Sequence, residues 1–197
     1  GKMNAGYTEF TREAFELYKE GLETKILNEN NSISPWTFIN VAVNGLRLRE
    51  FTWVESFIQN FNQYLPSAIR ESLVLFTRSK LYFEKKDYPQ AMNLLNKGDF
   101  DDLLIYLSAK TMLLKMYYEL DEYDALDYQL DSLGIYIKRK QIMGYHQENY
   151  QNIIRYTKKI ARVNPYSKKD VARLKNEIEA ANPLTEREWL LQQLENI

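Results

Sequence analysis

Apolar residues recur along most of the chain at intervals of three or four positions, which predicts α-helices nearly throughout. In the first segment the residues that share one helix face are Phe10, Ala14, Leu17, Tyr18, Gly21, Leu22 and Ile26. We expect this helix to begin at Thr8 and to end near Asn28. No stretch alternates apolar and polar residues for long enough to predict a strand. The pattern favours an all-α protein of about ten antiparallel helices joined by short connections.

Cap residues and prolines mark the helix boundaries. Ser34 is a favourable N-cap, and Pro35 falls at the first helical position, where its missing N–H costs nothing. Thr185 and Glu188 have the spacing of a capping box ahead of the last apolar run. The other helix stops and restarts are at Pro66 with Ser67, Asp87 to Pro89, Asn164 with Pro165, and Asn182 with Pro183.

One sequence phrase occurs three times at a spacing typical of helical repeats. An acidic residue is followed by an aromatic one at Glu50-Phe51, Asp87-Tyr88 and Glu122-Tyr123, and an apolar residue follows three positions after each aromatic. We call this the acidic-aromatic phrase. Its acidic positions, 50, 87 and 122, are 37 and 35 residues apart. Helix–turn–helix repeats have a length of about 34 residues, so the phrase indicates stacked helical hairpins.

Over residues 34–138 the chain resembles the tetratricopeptide repeat family. That family places a large residue and a Leu-Gly or Leu-Ala pair on the first helix, an aromatic residue in the turn, and a small residue and a proline on the second helix. In the first repeat these positions are taken by Phe38, Val41, Ala42, Phe51, Val54 and Pro66. The second and third repeats match less closely, because Arg78, Lys110 and Leu114 replace family residues.

The resemblance implies a right-handed α-α superhelix, a solenoid of paired helices, that forms a single domain over residues 1–197. Residues 1–33 would then be a half-repeat or cap, and residues 139–197 a degenerate repeat with a closing helix, which a solenoid needs to cover its last apolar face. The sequence leaves open whether this chain is a whole protein or part of a longer array. It also leaves open whether a signal peptide was removed.

The resemblance also implies a function in protein binding, without enzyme activity and without a cofactor. In the family the first helices of the repeats line a concave groove that receives a peptide or a helix of a partner. The groove positions carried over to this chain are Trp36, Ile39, Asn40, Val43, Arg47, Leu73, Phe76, Thr77, Lys80, Ser108, Thr111, Met112 and Lys115. Trp36 and Trp53 are candidate anchors for the partner, because Trp is enriched at binding hot spots. We expect a monomer or weak homo-oligomer, and the identity of the partner is not encoded here.

Charge suggests an alternative partner. The net charge is -1, but the segment Lys138–Lys175 has 11 basic and 2 acidic residues. This basic segment, with a basic patch at Lys158, Lys159 and Arg162, could bind nucleic acid or an acidic protein. The other interpretation is a solvated helix surface, or pairing with acidic residues elsewhere in the chain.

Few residues are suited to catalysis or metal binding. The chain has no cysteine and one histidine, His146, which excludes thiolate chemistry and paired-histidine metal sites. We expect Asp99 to Asp102 to cap the helix that follows, and Asp124, Asp127 and Asp131 to form a solvated helix face, so we predict no metal site. No apolar run approaches the roughly 20 residues of a membrane helix, which favours a cytoplasmic protein.

Overall fold

The computed structural model describes residues 2–24 and 32–197, with side chains described from residue 9 onward. Within these ranges the chain forms ten α-helices and no strand, which confirms the all-α prediction. The helices are α1 (Lys2–Glu23), α2 (Pro35–Arg47), α3 (Phe51–Phe61), α4 (Ser67–Glu84), α5 (Tyr88–Lys97), α6 (Leu103–Glu119), α7 (Tyr123–Arg139), α8 (Gly144–Arg162), α9 (Lys168–Ala180) and α10 (Arg187–Glu195). None of these helices is long and apolar enough to cross a membrane.

Most of the predicted helix boundaries are confirmed. The Ser34 side chain accepts a hydrogen bond from the Thr37 N–H at 3.0 Å, and Pro35 is the first residue of α2. Likewise the Asp87 carboxylate accepts from the Gln90 N–H at 3.3 Å ahead of α5. These caps were predictable because they connect residues three positions apart, and so do not depend on the rest of the fold.

The prediction for the first helix is wrong in two respects. The helix begins at Lys2, earlier than Thr8. Phe10 and Leu17, expected on the buried face, are 70% and 68% exposed, whereas Phe15 is fully buried. The buried face is set by what α1 meets: the Phe15 ring packs edge-on against Trp53, with ring centroids 4.7 Å apart. The expected end near Asn28, and Ile26, lie outside the described residues.

The three acidic-aromatic phrases adopt the same backbone turn. The residues that precede the acidic ones, Arg49, Lys86 and Asp121, have left-handed φ angles of 62°, 61° and 58°. Each of them donates its N–H to the carbonyl three residues back, and the acidic residue donates to the carbonyl five residues back. This hydrogen-bond pair is a Schellman C-cap, which usually has Gly at the left-handed position. Gln141, with a φ of 50°, forms the same turn after α7 without the phrase.

The chain divides into two compact units, one ending at Met112 and one beginning at Leu113, so the division falls within α6. In the first unit α2 packs against α1, α3 and α4, and α4 packs against α5. In the second unit α8 packs against α7, α9 and α10. Each unit has a continuous apolar core, with Phe38, Val54 and Phe57 buried in the first and Leu130, Ile153 and Leu190 in the second. That residues 1–197 fold as one domain stays a prediction.

Candidate partner-binding groove

Six of the thirteen predicted groove side chains are buried, which leaves them little surface for a partner, although one of them, Leu73, lines the cavity described below. They are Ile39, Leu73, Phe76, Thr77, Thr111 and Met112. The Thr77 and Thr111 hydroxyls each donate to a backbone carbonyl one turn back, at 2.7 and 2.9 Å, so their polar atoms are satisfied within their own helices. The family pattern marks these positions as groove-facing, but here their side chains are buried.

Lys115 belongs to an internal contact of the second unit. Its ammonium Nζ lies 2.9 Å from Glu186 Oε2 and 5.4 Å from the centroid of the Trp189 ring. The Trp189 indole N–H donates to Glu119 Oε1 at 2.9 Å, and Glu119 lies on α6, the helix that also contains Lys115. Glu186 and Trp189 therefore contact the face of α6 that the resemblance assigned to a partner.

The remaining predicted groove residues are accessible to different degrees. Asn40 and Arg47 are exposed, and Val43, Lys80 and Ser108 are half-buried. Trp36 is 46% exposed, which is a large exposed fraction for a tryptophan side chain. Of the two candidate anchors, Trp53 is a packing residue, since it is stacked on Phe57 with ring centroids 5.4 Å apart.

An open cavity of about 480 Å³ lies beside Trp36 in the first unit. It is formed by the N-terminal parts of α2, α4 and α6 together with the connection between α5 and α6, and we call it the α2–α4–α6 groove. Its apolar lining includes Trp36, Ile69, Leu75 and Phe100. The sequence identified Trp36 alone among these four, because the other three come together only through packing.

Local capping fixes the two helix ends that border the groove. The Ser34 cap and Pro35 hold Trp36 in the first turn of α2. At the start of α6, Asp102 Oδ1 accepts from the N–H groups of Leu104 and Ile105 at 2.9 and 3.0 Å. The predicted capping role of Asp102 is thereby confirmed. Both helix starts are thus defined by short-range hydrogen bonds, which keeps the groove walls in place.

The connection between α5 and α6 is anchored by Phe100. Gly98 ends α5, and a Cβ atom added to it would lie 2.1 Å from the Phe100 ring, so the ring occupies space that only glycine leaves free. Phe100 packs edge-on against the buried Phe76, with ring centroids 6.0 Å apart. This anchor holds the neighbouring residues Asp99 and Asp101 at the rim of the groove.

The groove is acidic. Four carboxylates, Glu71, Asp99, Asp101 and Asp102, and one ammonium, Lys97, line it, which is a side-chain charge of -3. Three helix N-termini border the groove, and each is equivalent to about +0.5 of an elementary charge, or roughly +1.5 in all. The side chains outweigh the helix ends, so the groove keeps a negative potential.

The basic patch is paired within the chain. Lys158 Nζ lies 2.6 Å from Asp131 Oδ1, and Arg162 Nη2 lies 3.3 Å from Asp127 Oδ1. Lys159 forms an ion pair with Glu177. A hydrogen bond from Lys158 lowers the pKa of Asp131, and one from Lys159 lowers the pKa of Glu177. The structure therefore favours the interpretation of intramolecular pairing, with the acidic face of α7 as one partner.

A hydrogen-bonded clamp in the second unit was missed by the sequence analysis. Asn149 on α8 binds Thr185 through two hydrogen bonds, and Asn152 donates to the Pro183 carbonyl at 3.0 Å. The predicted capping box is wrong, because the Thr185 hydroxyl accepts from Asn149 and α10 begins at Arg187. The signal available in the sequence was the pair of asparagines, Asn149 and Asn152, three positions apart on one face of α8.

His146 is exposed near the start of α8. In the described part of the chain no group of three or more acidic, His or Cys side chains lies close enough together to hold a metal ion. Comparison with protein family models, with curated proteins and with solved structures finds no match to this chain.

Proposed function

We propose that this protein is an interaction module that binds a segment of a partner protein in the α2–α4–α6 groove. The observation that carries the proposal is an open cavity of about 480 Å³ bordered by Trp36, a tryptophan that is 46% exposed. A half-exposed Trp beside a concave apolar surface has the properties of a binding hot spot, because its large rigid ring loses little conformational entropy when a partner covers it.

The proposal includes a tetratricopeptide-like architecture, with hairpins stacked into a right-handed superhelix. Its support is the repeated turn at Arg49, Lys86 and Asp121, where three acidic-aromatic phrases share one backbone conformation and one hydrogen-bond pattern. The α2–α4–α6 groove is bordered by the first helices of the three repeats, which is where the family binds its partners. The proposal also includes a cytoplasmic location and an oligomeric state of monomer or weak homo-oligomer.

The proposed module is non-enzymatic. The chain has no cysteine, and its one histidine, His146, is not among the groove residues. The groove therefore has neither a cysteine nor a histidine to serve as nucleophile or base. Nucleic-acid binding through the basic segment is not proposed, since Lys158, Lys159 and Arg162 are each engaged by a carboxylate of the chain.

Site-specific photocrosslinking tests the proposed function. A photoreactive amino acid would replace Ala68, an exposed residue of the groove lining, in one protein and Tyr128 in the other, so that Trp36 is kept in both. Tyr128 is 76% exposed on α7 and lies outside the groove. We expect a partner crosslinked at position 68 and absent at position 128. The purified partner should bind the wild-type protein and should bind Trp36→Ala at least about tenfold more weakly, at unchanged helix content and thermal stability. Equal capture at both positions, or equal affinity, contradicts the proposal.

A further inference from the structure

The charge of the α2–α4–α6 groove points to the chemistry of its partner. We propose that the groove binds a cationic protein segment, rich in Lys or Arg, that carries one large apolar side chain. This inference rests on the proposed function, since it assumes that the groove is where the partner binds. It is carried by two features that coincide at one place: an apolar floor and a rim of carboxylates without ion-pair partners.

The floor of the groove accounts for the apolar side chain. Ile69, Leu75 and Phe100 are half-buried, and each keeps part of its apolar surface open to the groove beside Trp36. A large aliphatic or aromatic side chain placed on this surface would remove apolar area from water on both partners. An ammonium or guanidinium group of the partner could also bind the half-exposed Trp36 ring, an interaction that Trp makes better than Tyr or Phe.

The rim accounts for the cationic residues. Within the described ranges no ion pair engages Glu71, Asp99 or Asp101, and all three side chains are exposed. Three carboxylates of the second unit, Asp127, Asp131 and Glu177, do form ion pairs with residues of the basic segment.

These three carboxylates therefore lie together at the groove without an internal cation, and a partner's cations could bind there as Lys158 and Lys159 bind carboxylates in the second unit. The three helix N-termini reduce the side-chain charge of -3 by roughly half, which leaves a net negative groove. An anionic segment would face like charges there, and like charges across an interface are strongly unfavourable.

Fluorescence anisotropy with three labelled peptides of equal length tests the inference. The first peptide has several lysines and arginines around one leucine, the second has glutamate in place of every basic residue, and the third has serine in place of the leucine. We expect the first peptide to bind most tightly, and its affinity to fall about tenfold as salt rises from roughly 50 to 300 mM. The second peptide should not bind, and the third should bind at least about tenfold more weakly than the first.

Two double variants locate the charge effect. Asp99→Asn with Asp101→Asn removes two rim charges, and Glu55→Gln with Glu84→Gln removes two exposed charges outside the groove lining. The rim variant should weaken the first peptide about tenfold, and the control variant less than about twofold. Equal effects of the two variants overturn the inference, because they would mean that only net charge matters.

The peptide experiment also separates the inference from the proposed function. If the glutamate peptide binds tightly to the wild type and this binding is lost in Trp36→Ala, the proposal of a cationic partner is wrong. The proposal that the groove binds a partner would still stand. Absence of binding by all three peptides overturns the cationic partner as well, and the crosslinked partner then decides the function. If Trp36→Ala affects neither the peptides nor the crosslinked partner, the groove is not the binding site and both proposals fail.

Discussion

Asn149 and Thr185 exchange two hydrogen bonds across 36 residues of sequence. Asn149 Oδ1 accepts from the Thr185 N–H at 2.8 Å, and Asn149 Nδ2 donates to Thr185 Oγ1 at 3.1 Å. The Asn149 side chain is 2% exposed, so both of its hydrogen bonds are made by a buried amide group. This pair holds the segment that leads into α10, and it therefore places Trp189 against Glu119.

Asn149→Ala should lower the free energy of unfolding by about 2 kcal/mol, because it removes both hydrogen bonds between α8 and Thr185. Urea denaturation measures this loss. Asn176→Ala is the matched control, since Asn176 is exposed on α9 and alanine is the better helix former. Equal stabilities of the two variants would show that the clamp contributes nothing to folding.

Gln141→Gly should raise the free energy of unfolding by about 1 kcal/mol, because Gln141 has a φ of 50° and glycine adopts this angle without the steric cost of a Cβ atom. Lys140→Gly is the control one residue earlier, where φ is -82° and glycine brings only its larger unfolded-state entropy. We expect that variant to be less stable than the wild type by roughly 0.5 kcal/mol. Chemical denaturation of both variants gives the sign of each change, and a stability loss in Gln141→Gly would be inconsistent with a left-handed cap.

Gly98→Ala should destabilise the protein by about 1 to 3 kcal/mol and displace the Phe100 ring, since the new methyl group and the ring would overlap. The same substitution in a Phe100→Ala background should cost much less, because the clashing ring is then absent. A double-mutant cycle by urea denaturation measures this coupling. Additive effects of the two substitutions would mean that Phe100 does not occupy the space beside Gly98.

Because the pKa of Tyr150 is raised, we expect the protein to lose stability at alkaline pH. Burial raises the pKa of its hydroxyl from 10.0 to about 12, with a further contribution from the negative charge of Glu186. In the unfolded chain the hydroxyl ionises near pH 10, so the unfolded state releases its proton first as the pH rises. The contribution of the Tyr150 hydroxyl to the free energy of unfolding is therefore complete below pH 10 and is lost as the pH approaches 12.

Tyr150→Phe should accordingly lose less stability than the wild type between pH 9 and pH 11, because phenylalanine has no proton to release. Urea denaturation at several pH values in this interval measures the difference. Tyr166→Phe is the control for loss of a tyrosine hydroxyl, since Tyr166 is 93% exposed. Parallel curves for the wild type and Tyr150→Phe would contradict the assignment to Tyr150.

The features that the sequence predicted well are local ones. The caps at Ser34, Asp87 and Asp102 join residues two or three positions apart, and the acidic-aromatic phrase marks three turns with one backbone conformation. Helical periodicity likewise predicted the number and the approximate bounds of the helices. Each of these depends on a few neighbouring residues, whose preferences are the same in any fold.

What only the tertiary structure decided is which partner each side chain meets. Phe15 is the buried residue of α1 because Trp53 is there to pack against it, and Thr185 binds Asn149 although its local sequence is that of a helix cap. The α2–α4–α6 groove combines residues from α2, α4 and the connection into α6. The physical reason is that hydrophobic periodicity states which residues can be buried, whereas the contacts between distant segments determine which of them are, and which charges are left without a partner.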